Sequence, residues 1–252
     1  MMSLYTRIPM PEIEWNSNNT KYVLTLLPVS GLFSGAAEVI WLILSLIIEI
    51  HAPLYAAIAC GIPVLIHGGI HLDGLADTAD ALASCSSKEK RRAILADPHT
   101  GAFGAAAIVF YEMITFGIFC EIYTLIDMQQ MASVHLLLLF SYILPRVLVQ
   151  IATASIPPSV PEGMLYSLTS TADSRLNFVT SVGIFLLCAV LIGVFAGYAV
   201  AVFTISAFLL FVYFRNMALM KFGGISGDLC GWLIKITETA MLASLWIMLK
   251  WS

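Results

Sequence analysis

Charge is what this sequence has least of. Of its 252 residues only 11% are Asp, Glu, Lys or Arg, whereas 60% are hydrophobic and the mean hydropathy is +0.91. Average soluble domains carry about 25% charged residues. That deficit excludes an ordinary solvated surface and implies a polytopic membrane protein. A basic stripe is missing too. The net charge is −4 and the few cations cluster near hydrophobic ends, so no nucleic-acid partner is expected. No CxxC pair exists: Cys60, Cys85, Cys120, Cys188 and Cys230 are scattered, four of them in or beside apolar runs. This excludes a zinc ribbon or disulfide frame and suits small packed thiols in a reducing compartment. The stretch Met1 to Asn19 has no apolar core before a small-residue cleavage site, which argues against a secretory signal.

What is present is a series of apolar runs. They cover about 22–50, with Pro28 and Glu38 inside, then 53–70, which is short for a crossing, then 101–126, holding Glu112, and 131–156, holding Arg146. The run 178–214 suits two crossings turning near Gly197 and Tyr198, and 228–251 is the last. The expected fold is all-α: one polytopic integral membrane helical bundle of about seven transmembrane helices, a single domain over 1–252. Segment 1–21 is expected along the membrane surface, with Trp15 at headgroup level. On this threading Arg7, Lys21, Lys88, Lys90, Arg91, Arg92, Arg175, Arg215, Lys221 and Lys235 fall inside and only Lys250 outside, the asymmetry of the positive-inside rule. Residues 71–100 and 215–236 are then cytoplasmic active-site loops at a cell membrane, and 157–177 is a polar, proline-bearing loop.

The densest chemistry lies in HGGIHLDGLADTAD, His67 to Asp80. Asp73, Asp77 and Asp80 are spaced i, i+4 and i+7, so at about 100° per residue they share roughly a 60° arc of one helix face. From Gly68 through Ala83 there is no basic side chain. Like charges at i, i+4 repel, so an uncompensated acidic face is best explained by an external hard cation with oxygen ligands. Gly68, Gly69 and Gly74 would let backbone and ligand approach closely. His67 and His71 have the spacing of a helical zinc pair, but no HExxH glutamate lies between them; His71 is expected on a carboxylate or a phosphate.

A second stretch repeats the frame. Gly223-Gly224-Ile225-Ser226-Gly227-Asp228 shares Gly-Gly-Ile-x-x-Asp with Gly68 to Asp73. Both copies sit at helix ends, which would bring Asp228 to the same site. Arg146, inside a span, either pairs with phosphate or with Glu112. Asp97 and His99 precede a glycine-rich helix start, which suits an anionic ligand or simple N-capping by Asp97 or Thr100. Lys221 is a phosphate contact or a positive-inside anchor, and Ser226 a ligand or an N-cap.

These residues resemble a known family. HGGIHLDGLADTADAL is similar to the signature of the adenosylcobinamide-GDP ribazoletransferases, or cobalamin synthases. TRIPMP, LLPVSGLFSG, ADPHTGAFG, PEGM and FGGISGDLCGWLIKITE resemble further family blocks in the same order, the last ending on Glu238. Ser226 stands where threonine is usual, His99 where arginine is common, Pro145 where glycine often precedes Arg146, and no arginine precedes Pro161.

The resemblance implies a phosphodiester-forming transferase. Its substrates would be adenosylcobinamide-GDP and alpha-ribazole or alpha-ribazole 5′-phosphate, its products adenosylcobalamin or its phosphate and GMP, and its cofactor Mg²⁺. Asp73, Asp77, Asp80 and Asp228 would be the catalytic, metal-binding carboxylates, with Asp80 a possible general base. His71, Gly74, Asp97, His99, Arg146, Lys221 and Ser226 would contact substrate. Besides the lipid bilayer, a second copy of the chain or other cobamide-assembly enzymes are the expected partners. The rival is a cation-coupled transporter using the acidic cluster, which requires an aspartate site near the midplane and an inverted repeat. The sequence shows neither.

Overall fold

A computed structural model describes residues 2–9 and 20–251. Trp15 and its expected place at the headgroups fall outside the described residues. Ten α-helices and no strand occur among the described residues, as expected for an all-α bundle. A short 3₁₀ turn, Leu24–Leu26, leads into α1, Leu27–Ile47. Helix α2, Ala52–His67, ends at Gly68 and Gly69, whose φ of 67° and 82° place both in the left-handed region open to glycine. That double break turns the chain by 96° into α3, Ile70–Ala83.

Next come α4, Lys88–Leu95, α5, Ala102–Leu125, and α6, Met131–Ser155. They are followed by α7, Gly163–Thr171, and α8, Ser174–Ala196. Gly197, at φ 53°, separates α8 from α9, Ala199–Met217, where the sequence expected a turn. Helix α9 runs on through a π-type turn to Phe222, and α10, Gly227–Trp251, closes the chain. Among the described residues six helices are long and apolar enough to cross a membrane; α2 reaches that length only together with α3, which the 96° bend turns away from its direction.

Three segments expected as loops carry helix, the first of them where the aspartate spacing already predicts one. Residues 71–100 form most of α3 and all of α4. In 157–177, α7 buries Leu168 against Val23 and Leu24. Its polar composition hides it because the hydroxyls bond within the helix: Ser167 donates to the Gly163 carbonyl at 3.1 Å and Thr171 to that of Ser167 at 3.1 Å. In 215–236 only 223–226 is loop, because α9 continues through its π-type turn and α10 begins at Gly227.

Helices α6 and α10 form the buried centre, and α1, α5, α8 and α9 turn most of their surface outward. Helix α1 lies against α6 through Gly31 and Gly35, four residues apart; a Cβ at Gly35 would sit 2.7 Å from the Leu139 carbonyl oxygen. Small residues at this spacing let helices in lipid pack backbone to backbone. Helix α3 differs from the others. It lies across one end of the bundle, against the first turns of α5 and α10.

The bundle interior holds a closed ionic cluster. Arg146 is fully buried, and its guanidinium donates to the Glu238 carboxylate and, at 3.0 Å, to the Tyr142 carbonyl. Lys235 Nζ donates to the other Glu238 oxygen at 2.8 Å and lies 4.9 Å from the centre of the Tyr111 ring. Arg146 therefore pairs with Glu238, not Glu112, and Lys235 is an interior cation, not an inner-surface anchor. The reason is that α10 packs beside α6 and presents Lys235 and Glu238, three apart, to the same space.

Two changes test this packing. Gly35→Leu forces overpacking at a backbone contact and is expected to cost about 1–3 kcal/mol, lowering the thermal midpoint of detergent-purified protein. Gly61→Leu, with no atom within 4 Å of the added Cβ, leaves it nearly unchanged. Glu238→Ala strands two buried cations and is expected to cost about 3–5 kcal/mol. Lys235→Met, which keeps the Arg146–Glu238 pair, costs less. Equal losses in the two variants would contradict a shared anion.

Candidate active site

The site is built where α3 meets α10. Gly74 lies directly on the start of α10, such that a Cβ there would stand 2.6 Å from the Asp228 carbonyl oxygen. Opposite it, a Cβ on Gly231 would meet the Gly74 Cα at 3.3 Å and the His71 Cα at 3.4 Å. One glycine on each helix thus sets the separation. The exposed Asp73 and the half-buried Asp77 are thereby carried next to Asp228 at the opening of α10. Ser226 Oγ accepts from the Leu229 amide at 3.3 Å, capping α10, and lies 3.5 Å from Asp228 Oδ2. The loop before it is held in register by Ile225, whose amide donates to the Pro157 carbonyl at 2.9 Å and whose carbonyl accepts from the Ser159 amide at 2.8 Å.

Asp80 is engaged elsewhere. One carboxylate oxygen accepts from the Gly101 amide at 2.7 Å and the other from the Gly104 amide at 2.9 Å. It is therefore Asp80, reaching over from α3, that caps α5, and not Asp97 or Thr100. The positive end of α5 favours a carboxylate there. With each oxygen accepting one amide, Asp80 positions α3 against α5.

Helix α3 lies outside the spanning segments, where titration matters. Burial, together with the negative charges of Asp73, Asp228 and Asp80, pushes the Asp77 carboxyl up to about 6. Acidic groups gathered in this way repel one another. Among the described residues, however, no three His, Cys, Asp or Glu side chains converge into a ready metal cage. The four carboxylates are neighbours, not a closed shell. Such an open set could hold a hard divalent cation only with waters or other oxygen ligands completing its shell.

The other expected contacts divide. His71 is buried, its ring 4.7 Å from that of His67. His67 Nδ1 donates to the Tyr5 carbonyl at 2.5 Å, which leaves Nε2 to accept from the Ser34 hydroxyl at 2.7 Å and Arg146 at 3.1 Å. Arg146 thus sits beneath the site, and at zero exposure it offers no surface to a phosphate. Asp97 and His99 are exposed and hold each other: the His99 amide and ring Nδ1 lie 3.0 and 2.8 Å from Asp97 Oδ1, and these bonds hold the Asp97 carboxyl below its usual range. Lys221 is exposed on the π-type turn. Helix α4 packs there, with Lys88 Nζ donating to the Leu219 carbonyl at 3.1 Å and Arg92 to that of Ser159 at 2.8 Å. These two cations border Gly223 and were read from sequence only as topology signals.

Sequence reasoning also missed a cavity of about 180 Å³ beside the carboxylates. Its walls come from Tyr5, the 3₁₀ turn at Leu24, Val149 and Thr153 of α6, α7 and Ile234 of α10, with His71, Asp73 and Asp228 along one side. Apolar residues from six separate segments leave no signal in a linear sequence. Glu238 and Lys235 did leave one, as two charges three apart within an apolar run.

The family profile for cobalamin-5-phosphate synthase, CobS, matches residues 1–246. The adenosylcobinamide-GDP ribazoletransferase of Lachnoclostridium phytofermentans is 28% identical over 232 residues, 92% of this chain and 86% of that protein. The protein of the same name from Clostridium botulinum strain Eklund 17B is 28% identical over 243 residues, 96% and 94% of the two chains. That from Acinetobacter baumannii is 32% identical over 216 residues, 85% of this chain and 82% of the other. No solved structure matches. The profile spans nearly the whole chain and takes in both glycine-aspartate stretches that meet at α3 and α10, so the chain belongs to the cobalamin-5-phosphate synthase family.

Proposed function

We propose that this protein joins adenosylcobinamide-GDP to alpha-ribazole or alpha-ribazole 5′-phosphate, giving adenosylcobalamin or its 5′-phosphate and GMP, at the cytoplasmic face of the cell membrane. The observation that carries the reading is the meeting of the Asp73–Asp77 face with Asp228 across two glycines. Hard oxygen donors without a basic partner suit a divalent cation shared with a pyrophosphate. Asp73, Asp77 and Asp228 are the residues that would hold it. Bound Mg²⁺ supplies charge neutralisation on the pyrophosphate and lowers the barrier to displacement at phosphorus.

The chain's own groups do the rest. In the reaction a ribazole hydroxyl oxygen bonds to the phosphorus nearer cobinamide, the bond from that phosphorus to GMP breaks, and the hydroxyl proton is lost to solvent or to a carboxylate. Ser226 and the cap it provides fix the first turn of α10, and Asp80 fixes α3 against α5, so the carboxylates stay in place while substrates exchange. Lys88, Arg92 and Lys221 along the edge at Gly223 favour a multiply charged anion. The acids lie across helix ends at the margin of the bundle, which supports chemistry on a substrate arriving from water over a transport path through the interior.

Purified protein given adenosylcobinamide-GDP, alpha-ribazole and Mg²⁺ is expected to release GMP with a matching cobalamin product, and EDTA to stop it. Asp73→Ala is expected to abolish turnover while leaving the thermal midpoint in place; near-normal turnover of the folded variant would remove Asp73 from the machinery.

The raised Asp77 carboxyl gives a pH dependence with a definite sign. Below about 6 this group is protonated and a cation must displace the proton; above about 7 it is ionised and no such competition remains. The Mg²⁺ concentration for half-maximal turnover is therefore expected to rise steeply, towards about tenfold per pH unit, below pH 6 and to level off above pH 7. A Mg²⁺ titration at several pH values reads this directly, and a flat requirement would exclude Asp77 as a ligand.

A further inference from the structure

We propose that the cavity between α3, α7 and α10 is the subsite for the aromatic base of the acceptor nucleoside, and that α7 is the wall that selects it. This rests on the transferase reading above and assigns one of its two substrates to a place.

Three observations point there. First, the cavity wall is mostly apolar: Leu24, Val149, Leu165, Leu168 and Ile234 belong to it. Its two hydroxyls are already engaged: Thr153 donates to the Gln150 carbonyl at 2.9 Å and Tyr5 to that of Val23 at 3.4 Å. A guanine edge would lose its hydrogen bonds to water and find no replacement, at a cost of about 1–3 kcal/mol per group. A benzimidazole-type ring, with little polar edge, loses almost nothing. Second, at about 180 Å³ the cavity is slightly larger than the 150 Å³ apolar cavity that takes up benzene. It admits one or two fused rings and excludes a corrin macrocycle outright. Third, its polar side carries Asp73 and Asp228. A nucleoside with its base inside places its ribose hydroxyls beside those carboxylates, where the new phosphoester bond forms.

The wall is replaceable, because α7 is a nine-residue helix at the edge of the bundle and not part of the α6–α10 centre. Its Leu168 also packs on Val23 and Leu24, so the base would be held between α7 and the segment that leads into α1. A second pocket, which includes Ser159, Glu162 and Ser226, shares Met164, Leu165 and Gly227 with this one.

The test is a pair of opposite changes at Leu168, with steady-state kinetics for both substrates. Leu168→Trp fills the cavity and is expected to raise KM for alpha-ribazole about tenfold or more while KM for adenosylcobinamide-GDP changes by less than about twofold. Leu168→Ala enlarges it and is expected to improve turnover of a three-ring naphthimidazole riboside relative to alpha-ribazole. If Leu168→Trp lowers the thermal midpoint enough to lose folded protein, Leu165→Trp, a partly exposed position on the same wall, makes the same test. Wild-type protein that releases no GMP would overturn the transferase reading itself. Active wild type with an unchanged alpha-ribazole KM in the filled variants would overturn the subsite alone and leave the cavity to a lipid acyl chain. Equal increases in KM for both substrates would overturn it as well, because the wall would then be merely structural.

Discussion

The close approach of α3 and α10 at Gly74 and Gly231 is the contact on which the site depends. A Cβ at Gly74 would meet Asp228 backbone at 2.6 Å, which cannot swing away, and one at Gly231 would be tight at 3.3 Å, so glycine at these positions lets the two helices bring their carboxylates together. Backbone contact brings the acids of one helix to the opening of the other, and like charges must then be held together against their repulsion. Asp80 helps by anchoring α3 to the α5 amides, which absorbs one carboxylate usefully and leaves the others facing open space. A geometry of this kind stores electrostatic tension that a divalent cation relieves.

Beneath it, the ionic cluster of Arg146, Glu238 and Lys235 gives α6 and α10 a fixed register. Buried charges in a bilayer are expensive and persist only where partnered. Here the anion sits between two cations, and Arg146 extends the connection to His67, which in turn holds the Tyr5 carbonyl and Ser34. His67 is also the last residue before the double glycine break. Through it the interior cluster fixes where α2 stops, and hence where α3 begins and how it lies across the bundle.

The spans were legible because each is a long apolar run, and even the turn at Gly197 announced itself by a glycine in an otherwise unbroken stretch. The aspartate spacing on α3 was legible for the same reason, since helical periodicity is a local property. What stayed hidden was everything that depends on which helices are neighbours. Arg146 invited a phosphate only because Glu238, 92 residues on, could not be placed beside it. The anchoring of Asp80 stayed hidden because its partners, the amides of Gly101 and Gly104, carry no side-chain signature. Helix α7 was concealed by serines and threonines that satisfy themselves against their own backbone, and with it went one wall of the cavity.

That wall bears on why such chemistry belongs at a membrane margin. A soluble protein of this length would have to build a dry cavity and a charged site within one core. Here the dry part continues the apolar interior of the bundle, and the charged part lies across its end, at the starts of α5 and α10. The two environments meet along α3, whose one face packs His71 and Gly74 against α10 while the other presents Asp73 and Asp77. An acceptor with an apolar ring and a polar sugar has the same two-sided character as that helix. Binding by matching it would orient the nucleoside without dedicated hydrogen bonds to the base, leaving selectivity to the size and shape of the wall opposite.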